Sequence, residues 1–278
     1  MEVWTIQKLL DWLIAQFEKN KITNPKQNAE TIISHVLKVK RLDIYLQPEK
    51  EISDVQLNTI LEITSRRKKY EPLQYILGET EFYGYKIIVN KRVLIPRPET
   101  ELLVEKIINE EKKASSMLEI GTGSGAIVIA LAKNLDNIKI DAIDILKDVL
   151  KIAEQNAKLN NVEINFFQSD IFENVTDKYD LIISNPPYIS QTDYEELPVE
   201  IKDFEPKSAL QAMNNGLFFY NIILQNAKEY LTESGKIYFE IGYDQAEEIT
   251  EIAKEKGLSD IRVFKDLNGS DRIVRIIN

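Results

Sequence analysis

The sequence has no cysteine and a single histidine, His35. Without cysteine there is no disulfide, no thiol nucleophile and no thiolate metal site. One histidine among apolar neighbours argues against a histidine-based triad or a zinc centre, and His35 reads as structural. No metal site is expected. Long apolar runs are also missing, so no membrane span is expected. The opening Met1-Glu2-Val3-Trp4 lacks the basic flank and apolar core of a signal peptide, so a cytoplasmic protein is expected. Basic charge is in deficit, with 35 Lys and Arg against 45 Asp and Glu and a net charge of −10. That balance argues against direct binding of a nucleic-acid duplex, which needs a basic face, and leaves a protein partner open. Glycine does not occur before Gly78. Hydrophobic residues nonetheless make up 44% of the chain, enough for a real core and too many for disorder.

The glycine-free front part reads as helices. Leu9, Leu10, Leu13 and Phe17 recur at helical spacing. Asn24-Pro25 reads as a cap followed by a proline in the first helical position, with Ile32, Ile33, Val36 and Leu37 turned inward. Ser53-x-x-Gln56 is a capping box opening a third helix, whose inner face is read as Leu57, Ile60 and Leu61. The basic run Arg66-Arg67-Lys68-Lys69 closes that helix. It is read as solvated cations complementing the helix dipole, with a docking patch for an acidic partner as the lesser reading. Residues 79–83 and 85–90 alternate around Gly84 and suggest a hairpin. The chain is therefore divided into a helical domain over 1–78, a β-hairpin connector over 79–94 and a larger domain over 95–278.

In that larger part strands and helices alternate, the signature of an α/β fold with a parallel sheet covered on both faces. Strands are expected at 117–120, 138–144, 163–168, 181–184, 236–241, 261–265 and 272–277. Helices are expected near 124–134, 148–159, 216–231 and 244–256. Asn268-Gly269 is a hairpin dipeptide, so the seventh strand should run antiparallel to its neighbour.

Two strand ends carry chemistry. The first strand runs into Glu119-Ile-Gly121-Thr122-Gly123-Ser124-Gly125. Glycines let the backbone approach a ligand closely, and the helix that follows presents free N–H groups. The second strand ends in Asp144, placed to accept hydrogen bonds from two ribose hydroxyls. Together they indicate a cofactor bearing a nucleoside. Gly121-x-Gly123-x-x-Ala126 also satisfies the dinucleotide fingerprint, so a nicotinamide enzyme is a rival. Against it, no His or Lys stands beside the fourth strand to exchange protons with an alcohol. Asp170 is placed to bond an adenine amino group and Ile171 or Phe172 to cover the ring, with an ordinary strand end as the competing reading.

The fourth strand stops at Asn185-Pro186-Pro187-Tyr188. Two prolines cannot continue a ladder, and they stiffen the backbone. Asn185 offers a side-chain carbonyl, Pro186 a backbone carbonyl without an N–H of its own, and Tyr188 a flat ring with a polar tip. Two rigid acceptors above an aromatic face suit a planar NH2 group. Such a corner fits chemistry on an amide or an exocyclic amine, although a plain Pro-Pro turn would look the same when taken alone.

Glu119-x-Gly121-x-Gly123-x-Gly125, Asp144, Ser169-Asp170 and Asn185-Pro-Pro-Tyr188, in that order, resemble a class I S-adenosylmethionine methyltransferase acting on nitrogen. More particularly the chain resembles the PrmC/HemK family, which methylates N5 of glutamine in peptide chain release factors. Further stretches that carry the likeness are Glu71-Pro-Leu-Gln-Tyr-Ile-Leu-Gly78, Phe82-Tyr-Gly84, Leu94-Ile-Pro-Arg-Pro-Glu-Thr-Glu101, Phe204-Glu-Pro206 and Asp266-Leu-Asn-Gly-Ser-Asp-Arg272. One departure is Asn214-Asn215-Gly216, where the family more often has paired glycines. The resemblance implies a Rossmann-like seven-stranded sheet with its last strand antiparallel and S-adenosylmethionine as cofactor. It implies the glutamine of a Gly-Gly-Gln loop as substrate and a front domain that grips the release factor. By this resemblance Asn185, Pro186 and Tyr188 are the expected catalytic residues, with Pro187, Arg97 and Glu99 as further substrate contacts. Arg97 and Glu99 are expected either to touch the substrate or to fix their loop as an ion pair. Glu119, Gly121, Thr122, Gly123, Ser124, Gly125, Asp144, Asp170, Ile171 and Asn185 are the expected cofactor residues. A ribosomal-protein glutamine methyltransferase and a nucleic-acid adenine N6-methyltransferase share much of the motif set and stand as alternatives. A non-catalytic nucleoside-binding module would not need the Asn-Pro-Pro-Tyr corner.

Overall fold

The structure, a computed structural model, describes residues 3–278. In chain order the elements begin with helices α1 (Ile6–Lys19), α2 (Pro25–Leu37), α3 (Arg41–Leu46), α4 (Asp54–Arg67) and α5 (Leu73–Leu77). The hairpin strands β1 (Glu79–Phe82) and β2 (Tyr85–Ile88) follow. Then come α6 (Glu101–Glu110), β3 (Ser116–Ile120), α7 (Ala126–Asn134), β4 (Lys139–Asp144), α8 (Lys147–Leu159), β5 (Asn165–Gln168) and β6 (Tyr179–Ser184). The chain ends with α9 (Gln191–Glu196), α10 (Val199–Lys202), α11 (Phe218–Tyr230), β7 (Leu231–Glu240), α12 (Ala246–Glu255), β8 (Asp260–Lys265) and β9 (Asp271–Ile277). Among the described residues no helix is long and apolar enough to cross a membrane.

Two compact units form. One takes the chain up to Gly78 together with Val199–Phe204, and the other takes Glu79–Pro198 and Glu205–Asn278. The first is a helical cluster around Leu9, Leu13, Phe17, Ile32, Ile33 and Ile60, each at or below 1% exposure. Ser53 and Gln56 cap α4 reciprocally, Ser53 Oγ accepting from Gln56 N at 3.3 Å and Gln56 Oε1 from Ser53 N at 3.0 Å. Three local expectations are corrected. Asn24 sits in the left-handed region and makes no side-chain cap, leaving Pro25 alone to mark the start of α2. The buried face of α4 is Ile60, Ile63, Thr64 and Arg67, while Leu61 is 38% exposed. Arg67 is not a solvated cation: it is 2% exposed and donates to Asn28 Oδ1 at 2.8 Å, Glu71 O at 3.1 Å and Glu200 Oε2 at 2.9 Å. A buried guanidinium needs such partners, because desolvating it alone would be costly.

The second unit is a seven-stranded sheet in the order β5-β4-β3-β6-β7-β9-β8. All neighbours pair in parallel except β9, which is antiparallel to both β7 and β8. The connection between β8 and β9 is 266–270, longer than the two-residue turn that Asn268-Gly269 suggests. Strand order reverses between β3 and β6, and in open α/β sheets ligands bind at such a switch point. The glycine loop leaves β3 and the proline corner leaves β6. Ser184 Oγ donates to Ile120 O at 2.8 Å and ties the two strand ends together. The small hairpin turns at Tyr83 (φ 50) and Gly84 (φ 78), both left-handed, which matches the twist of its strands. Buried Asn156 of α8 fastens this hairpin to the glycine loop, donating to Ile88 O and Ser124 O at 2.9 Å and accepting from Ile88 N at 2.7 Å.

Candidate active site

A cavity of about 400 Å³ opens at the carboxyl ends of β3, β4, β5 and β6. Its walls include Glu119, Gly121, Gly123, Asp144, Asp170 and Asn185. Thr122, Ser124, Ile171, Pro186, Pro187 and Arg97 also line it. The glycine turn and the proline corner therefore face one common space.

On the glycine side, Gly121 N and Thr122 N both donate to Ile143 O at 2.9 Å, and φ at Gly121 (75°) and Gly123 (56°) is left-handed. Only glycine takes that sequence of turns without strain. Gly125 is different: it does not line the cavity, and a Cβ there would lie 3.2 Å from Ala153 Cβ, so it serves the packing of α7 on α8. Asp144 caps the turn, its Oδ2 accepting from Gly123 N at 3.2 Å and its Oδ1 from Leu146 N at 3.0 Å. Burial raises its pKa, and those backbone N–H groups oppose the rise. Glu119 is 1% exposed and accepts from the Thr122 hydroxyl. Burial pushes Glu119 up to about 8; the Thr122 bond opposes this and the charge of Asp144 adds to it. A cationic group entering the cavity beside Glu119 would favour the ionised form of this enclosed acid and lower its pKa.

Asp170 is exposed at the rim, and Ile171 beside it stands at φ 48. A β-branched residue in that region is strained, and here the strain turns Ile171 to the cavity. Phe172 instead stacks on Tyr230 in the core, ring centroids 4.3 Å apart, so of the two only Ile171 faces the cavity. The exposed side chains Ile145 and Leu146, just after Asp144, add an apolar rim that the sequence reading missed. Phe82 of the hairpin and Phe219 of α11 are further lining residues that it missed. Their signal, a large apolar residue at or just past a strand end or in the first turn of a helix, is shared by many core positions.

On the proline side, Asn185 is half-buried and its Nδ2 points to Thr100 Oγ1 at 3.4 Å. Pro186 is buried and Pro187 half-buried. Tyr188 does not line the cavity. Its ring packs against the core beneath the corner, and burial pushes its phenol up to about 12. Gln245 holds that segment in place, donating to Tyr188 O at 3.0 Å and Asn215 O at 3.3 Å while accepting from Gly242 N at 3.0 Å. Asn214 (φ 53) and Asn215 (φ 52) both stand left-handed, a conformation that asparagine takes more readily than most residues with a Cβ. Arg97 lines the cavity and donates to Glu205 Oε1 at 2.6 Å, so its ion pair is with Glu205 rather than Glu99. Glu99 stays off the cavity wall. Behind the corner lies a carboxylate that the sequence reading did not single out, Glu240 at the end of β7.

Among the described residues there is no cluster of three or more acidic or histidine side chains fit to hold a metal ion. A methyltransferase from Pyrococcus furiosus superposes on 81% of this chain and 98% of its own with a TM-score of 0.55 at 20% identity, a likeness of fold. A family model described as Methyltransferase small domain matches residues 98–201, and the PrmC N-terminal domain matches 8–78. Strand order, reversed last strand and a cavity at the switch point thus define a class I methyltransferase fold in the second unit, which follows a helical unit in the chain. The release factor glutamine methyltransferase of Fusobacterium nucleatum is 42% identical over 94% of this chain and 75% of its own. That of Geobacter sulfurreducens is 36% identical over 98% and 96%. The chain belongs to the release factor glutamine methyltransferase family.

Proposed function

We propose that the protein transfers a methyl group from S-adenosylmethionine to the side-chain amide nitrogen of the glutamine in the Gly-Gly-Gln loop of peptide chain release factors. The observation that carries this reading is the single cavity shared by Asp144 and the glycine turn on one wall and by Asn185 and Pro186 on the other. When bound, S-adenosylmethionine supplies a methyl group already activated on a sulfonium. Asp144 holds the ribose hydroxyls, Asp170 the adenine amino group, and Ile171 with Ile145 and Leu146 the faces of the ring. Glu119 and the turn from Gly121 to Ser124 take the charged amino-acid end. The enclosed acid of Glu119, and an Asp144 that among the described residues is bonded by backbone N–H groups and no side chain, suit those roles.

An amide nitrogen is a weak nucleophile because its lone pair is delocalised, so alignment is the main task. Positioning of this kind contributes up to about 7–11 kcal/mol in ideal cases. Asn185 Oδ1 and the Pro186 carbonyl each accept one amide hydrogen. The out-of-plane face of the nitrogen is then free to take the methyl as the sulfur–methyl bond breaks, and one N–H proton is released to solvent afterwards. As positive charge grows on nitrogen both acceptors bind it more strongly, which favours the transition state over the ground state. Tyr188 supports the corner from the core side, and the front helical unit contributes a docking surface for the release factor.

The test is transfer of labelled methyl from the cofactor. A purified release factor should be labelled on its Gly-Gly-Gln glutamine, and a release factor with that glutamine changed to alanine should not. Label appearing instead on a ribosomal protein or on DNA would reject the assignment.

A further inference from the structure

Glu240 is 2% exposed and does not itself line the cavity. The pairing that sets Ser184 of β6 beside Phe239 of β7 brings the next residues, Asn185 and Glu240, to the same level at the sheet end. The Glu240 carboxylate lies against the side chains of Thr100 and Asn185, and its Oε2 has no hydrogen-bond partner among the described residues. Burial pushes Glu240 up to about 7. The nearby Thr100 and Asn185 side chains, as potential donors, and the Arg272 guanidinium of β9 favour its ionised form, and the charge of Glu99 opposes it. Tyr188 and Tyr220 of α11 also face this charge, and the Tyr220 hydroxyl donates to Glu240 O at 2.8 Å. Arg97 acts on the same cluster through Tyr188.

The two ends of an asparagine amide have the same shape and opposite hydrogen-bonding character. Methyl transfer to a carboxamide needs the acceptor end, because an NH2 group presented to another NH2 group cannot bond it. Among the described residues the Asn185 amide meets only the Thr100 hydroxyl on the cavity wall, and a hydroxyl, which both donates and accepts, does not by itself fix that choice. A carboxylate can only accept hydrogen bonds, so an ionised neighbour takes the NH2 end.

We propose that Glu240 is a positioning residue for methyl transfer: with the Thr100 hydroxyl it holds the NH2 end of Asn185 inward and so turns Oδ1 toward the substrate amide. This inference rests on the function proposed above. The 3.4 Å approach of Asn185 Nδ2 to Thr100 Oγ1 agrees with it. The ionised carboxylate also favours the positive charge that grows on the substrate nitrogen. Protonated Glu240 gains a donor, can engage Oδ1 instead, and loses the bias. Turnover therefore falls as pH drops through the Glu240 pKa.

The experiment is the pH profile of kcat for methylation of a release factor at saturating cofactor, in the wild type, Glu240→Gln and Thr100→Val. The wild type should show an acid limb with a midpoint near 7. Glutamine presents either amide end, so Glu240→Gln should lose at least tenfold in kcat at pH 8, lose the acid limb, and keep cofactor affinity. Thr100→Val removes a group that favours the ionised carboxylate, so the limb should remain with its midpoint moved upward. A role limited to holding the fold would change stability and leave the limb in place. An unchanged limb or wild-type kcat in Glu240→Gln overturns the inference. If Glu240→Gln does not fold, an unmoved midpoint in Thr100→Val overturns it by itself. A wild type that labels no Gly-Gly-Gln glutamine would instead reject the function proposed above.

Discussion

Replacing Gly216 with alanine tests how the proline corner is held. At Gly216 φ is +87, and an added Cβ would lie 2.0 Å from Tyr188 O and 2.4 Å from Gln245 Nε2. Carbon–oxygen contacts normally start at about 3.3 Å, so one of the two segments must move by roughly an ångström. Moving Gln245 breaks its bonds to Tyr188 O and Asn215 O, and leaving such a buried group unpaired costs about 1–3 kcal/mol. The left-handed backbone adds about 1–2 kcal/mol for any residue with a Cβ. Gly84→Ala is the internal control: φ there is +78 with nothing within 4 Å of the added carbon, so it should show the backbone cost alone. Gly216→Ala is expected to lose about 2–5 kcal/mol of stability. Displacing the corner by about 1 Å should also lower turnover by roughly a hundredfold. Denaturant unfolding gives the first quantity, and methyl transfer at saturating cofactor gives the second. If Gly216→Ala unfolds and turns over like Gly84→Ala, the corner is not held by this contact.

Three further outcomes are expected. Asn185→Ala should lower turnover by about two orders of magnitude or more with cofactor affinity nearly kept, because the interaction removed is made with the reacting amide; equal kcat would remove Asn185 from the chemistry. Asp144→Ala should chiefly raise the dissociation constant of the cofactor in calorimetry, and an unchanged constant would place the ribose elsewhere. Glu119 has a pKa raised to about 8 in the fold, so the folded state holds its proton over a range where the unfolded chain releases it. Its contribution is therefore most favourable below the ordinary glutamate pKa and is lost as pH rises toward 8. The ligand-free protein should become less stable over that window, and Glu119→Gln should flatten the trend. By linkage the effect is at most about 5 kcal/mol, and a wild-type curve no steeper than the variant's would reject the buried acid.

Much of this architecture was legible because its signals are local. The glycine turn after 117–120, the acid at Asp144 and the stop at Asn185-Pro186 each announce a strand end, and the observed strands end at Ile120, Asp144 and Ser184. What was hidden depends on pairing across the fold. Arg67 belongs to a basic run that looks solvated, and only the return of the chain at Glu200 makes it a buried cation. α9 was missed although Ser190 caps it, because it is short and mostly exposed. Phe172 and Ile171 are adjacent and equally apolar, and only the backbone turn at φ 48 decides which one faces the cavity. Glu240 reads as one acid at the end of an apolar strand. Its nearness to Asn185 follows from the register of β6 on β7, which no short stretch of sequence states.

The central claim is that the corner at Asn185 and Pro186 grips a carboxamide opposite the cofactor's methyl-bearing atom. A crystal structure with S-adenosylhomocysteine and a glutamine peptide tests it most directly. The account predicts the adenosyl group over Asp144 and Ile171, and the glutamine nitrogen bonded to Asn185 Oδ1 and Pro186 O. That nitrogen should lie where a sulfur-bound methyl would be about 3–3.5 Å away. A coenzyme lodged about a nanometre or more from the corner, or a glutamine bound elsewhere, would contradict it.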